Sequence, residues 1–145
     1  MSNAWSHLPN ARNIDWVLKS LKENPELWVA ARHASWDATM FAAWDAAWGA
    51  VWDAVSDSTR DAVYDAARAE VWDAAGTEAW DAARATILAL IAYDDCDQFL
   101  SMSYKRLKAW AVLSEDPRAV LLLPMIYVKE KLNECMVTSA QCPSY

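Results

Sequence analysis

Between Trp36 and Arg84 an aromatic residue, an aspartate and small residues recur at steps that are all multiples of four. Trp-Asp-Ala stands at Trp36, Trp44, Trp52, Trp72 and Trp80, Tyr-Asp-Ala at Tyr64, and Trp48 keeps the same register. An α-helix turns about 100° per residue, so each step of four overshoots a full turn by about 40°. Trp44, Trp48 and Trp52 together sweep only about 80° and can share one core face. Carried on to Arg84, the stripe would wrap about 480° around a straight rod, which no single flat interface can bury. The stretch must therefore break into shorter helices or supercoil strongly. Ser56-Asp57-Ser58-Thr59 is a capping cluster, and Gly76-Thr77 can end one helix and cap another. The pattern predicts helices at about 36–55, 59–75 and 77–100. An internal match at an offset of 28 residues reads as slippage of the short repeat, because the cap at 57–59 has no counterpart at 85–87.

The flanking sequence adds further helices. Asn13 reads as an N-cap, followed by the Trp16, Val17, Leu21 stripe of a short amphipathic helix. Asn24-Pro25 ends it and starts another, in which Leu27, Trp28 and Ala31 face inward. Ile87, Leu88, Leu90, Ile91, Tyr93, Phe99 and Leu100 mark a central helix, and 103–113 a basic amphipathic one. Asp116-Pro117 is another cap-plus-proline start, and the apolar helix from Arg118 to about Leu132 contains Pro124, expected to kink it. The expectation is an all-α, single-domain helical bundle or short helical-repeat stack of about six helices with a Trp/Ala-rich core. Residues 1–12 form an irregular lead-in whose Trp5 and Leu8 can tuck onto the core. The domain spans 13–136, with the repeat at 36–85 and apolar C-terminal helices at 86–132, and 137–145 is a tail. In the repeat, indoles supply buried area, alanines let helices approach, and each aspartate sits at the edge of the apolar stripe.

Composition agrees with this picture. A chain of 145 residues, 55% hydrophobic and with only two glycines, favours one helical domain with a real core. Three cysteines without a close pair point to free thiols in a reducing cytosol. No signal-peptide pattern opens the chain, and the apolar run 119–128 is too short for a bilayer, which needs about 20 residues. A soluble, cytoplasmic protein is expected. Charge changes the picture more. Residues 36–85 hold ten acids against three arginines, a balance equal to the net −7 of the whole chain. Such a surface opposes binding to nucleic acid or anionic lipid and suits a basic partner.

Candidate chemistry is sparse. Asp94 and Asp97, three apart on a helix, would share a face as two carboxylate ligands might, but no Glu-x-x-His or second cluster completes a metal site. Cys96, between acids, has its thiolate disfavoured. His33 and His7 have no nucleophile nearby in sequence, and Lys105, Arg106 and Lys108 read as a solvated face or as partners for the aspartates. With Gly49 and Gly76 the only glycines, phosphate-binding glycine loops are excluded. No enzyme activity, cofactor or metal is expected.

The segments Leu8-Pro9-Asn10-Ala11-Arg12, the Trp-Asp-Ala-Ala units, Leu90 to Cys96 and Asp116 to Pro124 together resemble a group of small Ala/Trp-rich proteins encoded largely by tailed bacteriophages. Members carry Arg at some aromatic positions, as Arg68 and Arg84 do here. The resemblance implies a phage-type protein acting inside an infected bacterium, with no catalytic site to carry over. The expected function is a non-enzymatic accessory factor that binds and modulates a host protein, including a defence protein. It would act through the acidic faces of Asp37, Asp45, Asp53, Asp61, Asp65, Asp73, Asp81, Asp94, Asp95 and Asp97, in its sharper form by mimicking DNA phosphates. Two alternatives stand beside it. One is nucleotide capture between helices by tryptophans and Arg60, Arg68 or Arg84, and the other is self-association through Trp-Ala faces.

Overall fold

The computed structural model describes residues 4–114 and 116–137, and no strand occurs among them. In chain order the helices are α1 (Ala11–Glu23), α2 (Pro25–Ser35), α3 (Phe41–Ala54), the single turn α4 (Asp57–Thr59), a π-helical segment (Arg60–Tyr64), α5 (Asp65–Ala92), the short α6 (Asp97–Leu100), α7 (Tyr104–Ser114) and α8 (Pro117–Val137). Six of these are long, and they pack into one helical bundle with α5 and α8 at its centre. Of the expected tail 137–145, Val137 closes α8 and the rest lies outside the described residues.

The drift of the four-residue step is resolved by interruptions. Val55 leaves α3 in an extended conformation, with φ −91° and ψ 130°. Ser56 then caps the next turn, its hydroxyl accepting from the Thr59 N–H. The π-helical segment closes i to i+5 bonds, so its turn holds more residues than an α-turn and absorbs part of the overshoot. Gly76 stands inside α5 at φ 82° and ψ 176°, a region open essentially to glycine alone, and breaks the helix there. Each uninterrupted run therefore keeps at least one residue per repeat in the core. Ala47, Val51 and Val55 are buried in the first, Val63, Ala67 and Val71 in the second, and Ala79, Ala83, Ile87 and Ile91 in the third. These are the residues just before the aromatic register.

Tryptophans occupy both the core and its rim. Trp5, Trp28 and Trp80 are buried, and Trp16, Trp36, Trp44 and Trp48 pack half-buried against the core. Trp52, Trp72 and Trp110 reach solvent, at 37%, 36% and 48% exposure, and the first two correct the expectation that the indoles of the repeat are buried.

Beyond Gly76 the character changes: from Ala82 to Ile91 every residue but the half-buried Arg84 is buried, and the helix forms the centre of the bundle. It faces α8, where Ala119 to Ile126 are all buried. α8 runs through Pro124 as a helical segment. Proline has no N–H to offer the carbonyl one turn earlier, so the Val120 carbonyl loses its helical partner. The Trp36 indole N–H donates to that oxygen at 3.3 Å, and Thr86 Oγ1 donates to the neighbouring Leu121 carbonyl at 2.6 Å. Two otherwise awkward polar groups, a buried threonine and a half-buried indole, thus meet carbonyls in the turn that proline disturbs.

Three local expectations are corrected. Helix α1 begins at Ala11, so Asn13 is inside it and is not its cap. Buried Asn10 instead donates through Nδ2 to the Leu90 and Tyr93 carbonyls, closing the end of α5. That helix stops at Ala92 and does not continue to 100. Third, residues 36–40 are not part of α3; Trp36 follows α2, and the chain reverses before Phe41. The lead-in is irregular but anchored, with Trp5 buried and its indole N–H bonded to Asp15 at 2.7 Å.

Candidate functional site

The aromatic register folds into a continuous ladder. Ring centroids lie 5.3 Å apart for Trp36 and Trp44, 5.9 Å for Trp44 and Trp48, and 5.5 Å for Trp48 and Trp52. The ladder then crosses to the next runs through Trp52 and Tyr64 at 6.3 Å, and Tyr64 and Trp80 at 5.3 Å. It thereby ties the three runs together across both breaks. Arginines in the same register stack on it: Arg60 lies 4.2 Å from the centre of Trp52, and Arg84 4.8 Å from that of Trp48. Arg68 covers Trp72 at 4.4 Å. Cation–π contact of this kind contributes about 0.5–1 kcal/mol at an exposed site. Arg60 also donates to the Trp52 carbonyl at the end of α3 and pairs with Asp57 at 2.7 Å. The three arginines named for nucleotide capture are thus already stacked within the protein.

The ten aspartates divide into two groups. Asp37, Asp81 and Asp95 are engaged internally. Asp37 accepts from Thr39 and pairs with Lys108 at 3.1 Å, while Lys108 also donates to the Ala34 carbonyl. The Thr39 hydroxyl first, then Lys108, hold the Asp37 carboxyl down from 3.8 to about 2. Asp81 lies 3.6 Å from Arg84, and Asp95 meets Gln98 and Arg118. Asp45, Asp53, Asp61, Asp65, Asp73, Asp94 and Asp97 are exposed and make no hydrogen bond or ion pair with any described residue. The first five of these occupy the position just after the aromatic register, along α3, the π-helical segment and the first half of α5. A row of unpaired carboxylates therefore runs beside the ladder.

The Asp94-Asp95-Cys96-Asp97 stretch is not the helix face expected, because α5 has already ended. Cys96 is buried, and its thiol is pushed up to about 12, chiefly by that burial and further by Asp97 and Asp95. Arg118 ties this corner down by stacking 4.9 Å from Phe99 and bonding Asp116 and the Asp95 carbonyl. Among the described residues no three His, Cys, Asp or Glu side chains converge as metal ligands would, and no helix is long and apolar enough to cross a membrane.

A surface that the sequence did not single out lies on the far side of α3. Ala42, Ala43, Ala46, Ala47 and Ala50 with Val112 and Pro117 line a groove of about 490 Å³, and α7 exposes Trp110, Val112 and Leu113 near it. The only signal for it in the chain is that 103–113 carries more apolar residues than its one buried stripe, Leu107 and Ala111, requires. Against family models, curated proteins and solved structures, the chain finds no match.

Proposed function

We propose that this chain is a non-enzymatic interaction protein, a phage-type accessory factor that binds and modulates a basic, DNA-binding host protein through its acidic helical rows. The observation that carries the reading is the set of exposed, unpaired aspartates at Asp45, Asp53, Asp61, Asp65 and Asp73. Folding makes no visible use of them, yet they repeat in one register. Asp45 and Asp53 in α3, and Asp65 and Asp73 in α5, each stand eight residues apart, about 12 Å of helical rise. Every third to fourth phosphate of one DNA strand stands about 10–14 Å apart along the axis, so a basic groove shaped for phosphates can be met by such a row. The test is capture from bacterial lysate at low and high salt by the wild type and by a variant with Asp45, Asp53, Asp61 and Asp73 changed to Asn. A stoichiometric DNA-binding partner, released by salt and lost with the variant, supports the reading. Undiminished binding by the variant ends the mimicry.

A second reading is favoured by a separate observation, the apolar face of α7 beside the alanine groove. Self-association through that face predicts a dimer by light scattering, dispersed by Leu113→Asp; a strict monomer removes it.

A further inference from the structure

At the reversal 36–40 the end of α2 and the start of α3 border a common cleft. It measures about 270 Å³ and is lined by Arg32, His33, Trp36, Phe41 and Trp44. Four features of its lining point the same way. Three aromatic rings wall it, of which Trp36 and Trp44 are fixed in the ladder while Phe41 is 65% exposed. Arg32 is half-buried and His33 exposed, and neither side chain has a hydrogen bond, ion pair or ring contact with any described residue, in a chain where acids outnumber bases by 20 to 13. The indole Nε1 of Trp44 is buried and has no acceptor, whereas that of Trp36 is satisfied by Val120. Helix α3, finally, begins beside the cleft at Phe41 without a side-chain cap, which leaves the positive end of its dipole near it.

We propose that this cleft binds a planar aromatic anion, a ring no larger than a mononucleotide base bearing a phosphate or a carboxylate. The ring would cover Phe41 and rest against Trp36 and Trp44, replacing water over apolar surface that the fold leaves open. The anionic group would pair with Arg32, whose planar fork suits both phosphate and carboxylate, with His33 and the start of α3 adding to the attraction. The overall negative charge does not prevent this. The nearest acid in the reversal, Asp37, is already neutralised by Lys108, and charges beyond about 8 Å are largely screened at physiological salt. No aspartate of the exposed row lines the cleft, so this inference stands or falls independently of the acidic-face reading.

The test is an NMR titration of the whole chain, following the tryptophan indole N–H signals with four probes: adenosine 5′-monophosphate, indole-3-acetate, adenosine and inorganic phosphate. The expected result is saturable shifts at Trp36 and Trp44 with one or both aromatic anions. Adenosine and phosphate should bind about tenfold or more weakly, since each lacks half of the recognised chemistry. Whichever anion binds more tightly tells a phosphate source from a carboxylate one. Arg32→Gln should weaken binding about tenfold or more with an unchanged helical circular dichroism spectrum. Equal affinity for adenosine, phosphate alone matching the nucleotide, an unaffected Arg32→Gln variant, or no saturable shift with either aromatic anion would each overturn the proposal. The wild-type probe series decides the matter even if a variant fails to fold.

Discussion

The two halves of α5, separated by Gly76, show how differently one helix can be used. Before the glycine, Val71 and Ala67 are the buried positions, flanked by exposed Arg68, Glu70, Trp72 and Asp73. After it, residues from Ala82 to Ile91 are buried on nearly every side, enclosed by α1, α2 and α8. The first half, like α3, is a one-sided helix that presents aromatics at its rim and acids to solvent. The second is a core helix whose interior polar group, Thr86, is matched to the Leu121 carbonyl of α8. Stability is concentrated in the second half and surface chemistry in the first.

Mutations should separate the two. Leu121→Ala removes a fully buried side chain facing the second half and should cost about 3–5 kcal/mol in urea unfolding, whereas Val71→Ala in the first half should cost about 2 kcal/mol. Equal losses would erase the distinction. Gly76→Ala, at the junction, meets no steric neighbour, yet forces alanine to a positive φ and should cost about 1–3 kcal/mol. A neutral effect would mean the break can heal into continuous helix. Arg60→Gln removes the cation over Trp52 and the bond to its carbonyl, and should cost about 1 kcal/mol or less, with a change in tryptophan fluorescence. The smallest effect concerns Asp37. Its folded carboxyl titrates near 2, below its ordinary 3.8, so its contribution is present above about pH 4 and is lost as the pH falls toward 2. Side-chain carbonyl NMR should find that titration, and Thr39→Ala should move it upward.

These contrasts also show what was legible in the chain. The geometry of a four-residue step demanded breaks, and Ser56 and Gly76 supply them where capping and left-handed chemistry allowed. Asn24-Pro25 and Asp116-Pro117 do stand where α2 and α8 start, but only Asp116 caps through its side chain, and the Asn24 side chain makes no cap bond. The inward residue of each repeat was harder to see. Where α3 lies on α8, backbones approach closely, so alanine and valine take the contact and the larger indoles are displaced to the rim. The π-helical turn has no local sequence signature. The end of α5 at Ala92 depends on Asn10, 80 residues away from Leu90. The cleft at Arg32 depends on the reversal at 36–40, which brings Phe41 and Trp44 back to α2. Of the ten aspartates, the position after the aromatic marked the exposed row correctly in α3 and the first half of α5. Partners distant in sequence, such as Lys108 for Asp37, removed others from it.

The central claim is that the aspartate row serves a surface purpose and not the fold. It is tested most directly by urea unfolding of the wild type and of the variant with Asp45, Asp53, Asp61 and Asp73 changed to Asn, each at low and high salt. Because these carboxylates are unpaired and repel one another, the variant should be as stable as the wild type or more so at low salt, with the gap closing as salt is added. A variant clearly less stable than the wild type would show that the acids hold the structure together, and the account would be wrong.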